Sequence, residues 1–108
     1  MSPIIDRAHL AEAAFGDAEL ADECLALFAE QCRTLLPGIT DSGRDTSARA
    51  DMAHTLKGSA LGVGATEVAR ASATIEDGLR SSRVPADALT FLERAVAAAL
   101  KEIQGGRS

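Results

Sequence analysis

Three features of this sequence predict an all-α fold, an antiparallel up-and-down four-helix bundle with a short additional N-terminal helix. Alanine is the commonest residue, which favours helices over a sheet that would draw on β-branched and aromatic side chains. Apolar residues recur at helical spacing in four long blocks with a shorter one in front, and the links between blocks are short enough to join antiparallel neighbours. A length of 108 residues with 46 % hydrophobic content suits one domain and excludes a wholly disordered chain. The domain is expected over residues 1–104, with a frayed tail at 105–108.

The short block runs from about Ile4 to Ala14 and is broken at Gly16-Asp17. Asp17 is the expected N-cap of the second block. Ala21, Cys24, Leu25, Phe28, Cys32, Leu35 and Leu36 form its inward stripe. Pro37-Gly38 is expected to end it. A polar turn from Thr40 to Asp45 leads into a third block, from near Thr46 to Gly62-Val63-Gly64. The fourth carries Val68, Ser72, Ile75 and Leu79 and stops at Ser81-Ser82. Pro85 suits the first turn of the fifth, in which Leu89, Leu92, Val96, Ala99 and Ile103 face inward.

Several function classes are excluded at this level. Sixteen acidic against eleven basic residues, with no long basic run, argues against a nucleic-acid surface. The 3 % aromatic content leaves no stacking platform for single strands. No apolar stretch approaches the ~20 residues of a membrane span, and the charged start MSPIIDRAHLAEA lacks the apolar core of a signal peptide. A cytoplasmic protein with no membrane partner is therefore expected. Cys24 and Cys32 share one helix, about 12 Å apart along its axis at ~1.5 Å per residue, too far to pair. They are expected to be buried structural thiols.

The third helix carries the information. At about 100° per residue, Met52, Ala53, Leu56, Ala60 and Val63 gather on one face, the expected core side. His54 falls nearly opposite, flanked by Lys57 and Gly58, with Ala50 and Leu61 on the same outward strip. A bundle helix ordinarily fills such a strip with Glu, Lys and Arg. Interior glycine costs a helix about 1 kcal/mol relative to alanine, so Gly58 marks a place where another molecule can come close. Lys57, three residues on, is a surface neighbour of His54. A solvent-facing imidazole has a ring nitrogen free to act as a nucleophile. A cation one turn away can offset the charge of a phosphoryl group on that ring. Apolar neighbours in water suit a surface that a partner covers. A plain surface His/Lys pair and a helix-packing glycine are the bland alternatives, and the azimuth of Gly58, away from the core, speaks against the second. His9, with no such companions, reads as an ordinary surface or end-cap residue.

The segment from Ala53 to Ala65, AHTLKGSALGVGA, closely resembles the signature of histidine-containing phosphotransfer (HPt) domains of multistep two-component relays. Phe15-Gly16-Asp17, Phe28 and Ile75-Glu76 extend the likeness over residues 15–80. The resemblance implies a four-helix bundle with a phospho-accepting histidine, here His54, phosphorylated at Nε2. Lys57 would stabilise the phosphoryl group and Gly58 would give a partner close approach, with Ala50 and Leu61 beside it. Glu76 takes a position on the next helix suited to orienting the imidazole, although a plain inter-helix or solvent contact explains a glutamate there equally well. The implied partners are receiver domains of response regulators and a hybrid sensor histidine kinase. No ATP site or cofactor is expected on this chain. Magnesium is expected on the receiver, and the carrier is expected to be a monomer rather than an enzyme in its own right. Two rival readings stay open: the phospho-accepting domain of a chemotaxis-type kinase, and a helical adaptor that docks receivers without phosphorylation. No HExxH supports a metal-dependent hydrolase, and Gly58–Gly64 is followed by none of the Gly-Lys-Ser/Thr pattern of a P-loop.

Overall fold

A computed structural model describes residues 3–105, which form α1 (Arg7–Ala13), α2 (Ala18–Thr40), α3 (Thr46–Val63), α4 (Thr66–Arg80) and α5 (Ala88–Gly105). No strand occurs among the described residues. Aspartates start the first three helices. The Asp6 carboxylate accepts from the His9 N–H, that of Asp17 from Glu19 and Leu20, and that of Asp45 from Ala48. Each satisfies donors that a helix N-terminus leaves free. Gly64 ends α3 in the left-handed conformation, φ 77°. A Cβ there would lie 2.9 Å from the Asp6 carbonyl oxygen, so glycine also lets the chain before α1 lie against the end of α3. The Asp6 N–H donates to the Gly64 carbonyl across that contact at 2.9 Å.

Helices α2 to α5 close a ring, each packed on the next and α5 back on α2, while α1 lies on α2 and α3. Side-chain bonds give the directions. Ser59 of α3 donates to Gln31 of α2, and Arg49 of α3 to the Ile39 carbonyl of α2. As numbers rise on one helix they fall on the other, so the pair is antiparallel. Between α3 and α4, His54 meets Glu76 and Asp51 meets Arg80 in the same sense. The core inside the ring is made of Leu25, Phe28, Ile39, Leu56, Val68, Ile75, Leu92 and Val96 with alanines between them. Small side chains allow the close helix approach that an alanine-rich sequence implies.

Two expected boundaries move. Pro37-Gly38 does not end α2, which continues to Thr40 with Pro37 inside it. The continuation buries Ile39 completely. The last carbonyls gain side-chain donors: Thr40 Oγ1 to Leu36 and Pro37, and Arg49 Nε to Ile39 at 2.9 Å. Gly38 serves packing, since a Cβ there would meet Met52 Sδ at 2.5 Å. Pro85 likewise lies before α5 rather than in its first turn, and its carbonyl accepts from the Ala88 N–H. The chain from Ser81 to Asp87 is used to fold Val84 back over Gly78, where a Cβ would stand 2.8 Å from Val84 Cα. Of the residues expected to fray, Gly105 closes α5, and residues 106–108 lie outside the described part. Cys32 is fully buried but Cys24 only half so, because it lies at the edge of the α2 stripe, and both are free thiols. Burial pushes the Cys32 thiol up to about 11 against the opposing charge of Arg33, which leaves it protonated and inert at neutral pH.

Candidate functional site

His54 stands in the third turn of α3 with 63 % of its side chain exposed. The ring does not stand alone. Its Nδ1 lies 3.2 Å from Glu76 Oε1 and 3.1 Å from Oε2, across the α3–α4 seam. Glu76 lies on the inward side of α4 and is only 8 % exposed. A carboxylate offers acceptors alone, so the ring nitrogen facing it carries the hydrogen and donates. That places the lone pair of the neutral imidazole on Nε2.

The buried carboxylate is surrounded by donors. Lys57 Nζ lies 3.3 Å from Oε1, and Arg80 Nε donates to Oε2 at 3.1 Å. Burial pushes the Glu76 carboxyl upward, but the hydrogen bonds from His54, Arg80 and Lys57 outweigh it and hold the group below the usual carboxylate range. Glu76 is therefore ionised at neutral pH. Arg80 has a second anchor, since its Nη2 donates to Asp51 Oδ1 at 3.1 Å. Asp51 first and Glu76 second push the guanidinium above its ordinary value. The result is a small charged network under one face of an exposed imidazole.

On the other side of His54 the surface is bare. A Cβ placed on Gly58 or on Gly62, one turn later, would meet nothing within 4 Å. Leu61 is 56 % exposed, and Leu27 of α2 is 63 % exposed. A shallow cleft of about 240 Å³ runs between α2 and α3, lined in part by Leu27, Gln31, Ser59 and Gly62. His54, Lys57, Gly58, Leu61 and Glu76 thus converge on one region of α3 and its flanks.

Ala50 does not share that surface. It is fully buried in the core. At ~100° per residue it lies between the azimuths of Ala53 and His54, and its single methyl group barely rises above the backbone, so neighbouring helices cover it. Sequence reasoning also missed Arg80, Asp51 and Leu27. Arg80 follows Glu76 by four residues and Asp51 precedes His54 by three, spacings that put each pair on one helix face. What joins the two pairs is the register of α3 against α4, which neither helix states alone. His9 is exposed and borders a small cleft with Asp6 and Leu61. Among the described residues no group of three or more His, Cys, Asp or Glu side chains is gathered to hold a metal ion, and no helix is long and apolar enough to cross a membrane.

Comparison with known proteins adds to this geometry. The family model of the Hpt domain matches residues 18–106, from the first residue of α2 onward. The crystal structure of the histidine phosphotransferase ShpA from Caulobacter crescentus is similar over 96 % of this chain and 90 % of that one, with 32 % sequence identity and a TM-score of 0.76. A search of curated proteins found no match.

Proposed function

The chain belongs to the Hpt domain family and has a phosphotransfer role in a two-component phosphorelay, and from that premise we propose that His54 is the residue that carries the phosphoryl group. The observation behind this assignment is the pairing of an exposed imidazole with a buried, ionised carboxylate on Nδ1. The carboxylate selects the tautomer whose Nε2 is the nucleophile.

In this reading the Nε2 lone pair attacks the phosphorus of an aspartyl phosphate on a docked receiver domain. The N–P bond forms as the P–O bond to the aspartate breaks, and the electron pair leaves with the receiver's carboxylate. The ring, still protonated at Nδ1, gains positive charge in the product, and Glu76 lies beside that nitrogen to stabilise it. Lys57, on a flexible stem one turn from His54, turns toward the phosphoryl oxygens as a charge-assisted partner. Positioning and charge stabilisation dominate transfers of this kind. The N–P bond keeps the group transferable, so passage to a second aspartate uses the same contacts in reverse.

The bare backbone at Gly58 and Gly62, with Leu27 and Leu61 on either side, is the docking face for the receiver in this reading. A hybrid sensor kinase supplies the phosphoryl group and a response regulator takes it. We assign no cofactor to this chain and place magnesium on the receiver. The protein acts as a monomeric cytoplasmic carrier rather than an enzyme. The test is incubation with a phosphorylated receiver domain. Wild-type protein should gain an acid-labile, base-stable phosphate, His54→Gln should gain none, and Lys57→Ala should gain it more slowly while keeping its helical circular dichroism. Undiminished label in His54→Gln would sink the assignment.

A further inference from the structure

One carboxylate serves three donors in this site, and the two cations do not share an oxygen. Lys57 Nζ lies on Glu76 Oε1 at 3.3 Å, while Arg80 Nε lies on Oε2 at 3.1 Å. The two cations also differ in what else holds them. Lys57 carries a point charge on a flexible stem and has no ion pair but that with Glu76 among the described residues. Arg80 is a planar fork held at both ends, by Glu76 on its own helix and by Asp51 on α3. Asp51 lies one turn before His54, so Arg80 spans the α3–α4 seam beside the imidazole.

Resting on the assignment of His54 as phosphoacceptor, we propose that Arg80 is a positioning residue for phosphotransfer: it keeps the Glu76 carboxylate against the His54 ring while Lys57 turns to the phosphoryl group. A phosphoryl group on Nε2 bears more negative charge than a carboxylate and competes for the nearby ammonium. When Lys57 turns away, a carboxylate that is only 8 % exposed would keep the imidazole N–H as its sole partner were Arg80 absent. A buried charge with so little compensation either protonates or rotates toward water. In both cases the hold on Nδ1–H loosens as the ring is gaining charge. Without Arg80, Lys57 cannot serve the phosphoryl group without leaving Glu76 to the imidazole N–H alone. Asp51 contributes by fixing the guanidinium plane.

A purely structural role, tying α4 to α3, would lower stability without touching the state of the ring. The experiment therefore reads the ring itself. Uniformly ¹⁵N-labelled wild type, Arg80→Ala, Arg80→Lys and Asp51→Asn, and Lys57→Ala with and without Arg80→Ala, are compared by long-range ¹H–¹⁵N correlation of His54 across pH. The same proteins are assayed for transfer from a phosphorylated receiver, with His54→Gln alongside. The charged groups facing Glu76 in this titration are His54 and Lys57 from α3 and Arg80 from α4, with Asp51 behind Arg80.

In a Lys57→Ala background, which reproduces the departure of the ammonium from Glu76, Arg80→Ala should show more of the tautomer protonated at Nε2, and Arg80→Ala alone should show an acid limb of the rate profile displaced to higher pH. Transfer by Arg80→Ala alone should slow about tenfold, through lost transition-state stabilisation. Arg80→Lys should recover part of the rate, and Asp51→Asn should shift the same readouts less. A ring spectrum left unchanged by Arg80→Ala in the Lys57→Ala background, with a wild-type pH profile in Arg80→Ala alone, whatever the melting temperatures, would overturn the role of Arg80 while leaving His54 as acceptor. Label in His54→Gln would overturn both.

Discussion

Glu76 occupies the inward stripe of α4 beside Ser72 and Ile75, where an apolar residue ordinarily sits. Its folded-state pKa is depressed because the hydrogen bonds from His54, Arg80 and Lys57 exceed the effect of burial. A depressed carboxyl contributes stability that is fully present above its unfolded value, about 4.3 for glutamate. That contribution is lost as pH falls through the lower folded value. Urea unfolding of wild type and Glu76→Gln from neutral pH into the acid range should therefore show the wild type losing stability relative to the variant as pH drops. A constant difference across that range would contradict the ionised-hub description. At this scale the sequence was informative where one helix sufficed. His54, Lys57 and Gly58 could be placed by azimuth because all three ride α3. Ala50 was misplaced because a methyl group between two azimuths is buried or exposed according to what packs over it. Arg80 and Asp51 were invisible because their meeting depends on two helices at once.

Among the helices, the glycines separate open positions from packed ones. Gly58 and Gly78 both sit inside helices, yet a Cβ on Gly58 meets open space, whereas one on Gly78 meets the Val84 backbone at 2.8 Å and the Arg83 carbonyl oxygen at 3.0 Å. Gly58→Ala should stabilise the protein by up to about 1 kcal/mol, the ordinary helix-propensity gain. Gly78→Ala should destabilise it by about 1–3 kcal/mol, since backbone must give way to admit the methyl group. Denaturant midpoints of the two variants decide this, and shifts of the same sign would refute it. Gly58→Glu should keep the fold and lose receiver binding. The boundaries at Asp17, Thr46, Gly64 and Ser81 were legible from the Asp17 cap, a polar turn, a glycine stop and a serine pair. Those at Pro37 and Pro85 were not, for tertiary reasons. Burial of Ile39 and the donors from Thr40 and Arg49 carry α2 past its proline, and packing of Val84 on Gly78 delays α5.

For the whole molecule, the closed ring α2–α3–α4–α5 converts local patterns into a site. It seats α4 against α3 so that a buried acid lies under an exposed imidazole, and it seats α2 so that Leu27 borders the bare Gly62. The all-helical architecture could be read from periodicity because each amphipathic helix has a stripe that only neighbours can bury. The inter-helix register could not, since it is set by how small residues nest across the seams. The division of labour in the ring, with Nδ1 held by Glu76 and Nε2 left to react, is the feature on which the proposed chemistry depends. It is tested most directly by ¹⁵N and ³¹P NMR of the protein after phosphorylation by a receiver domain. Phosphorus should be bonded to Nε2 of His54, with the hydrogen retained on Nδ1. Phosphorus on Nδ1, or on any other residue, would contradict it.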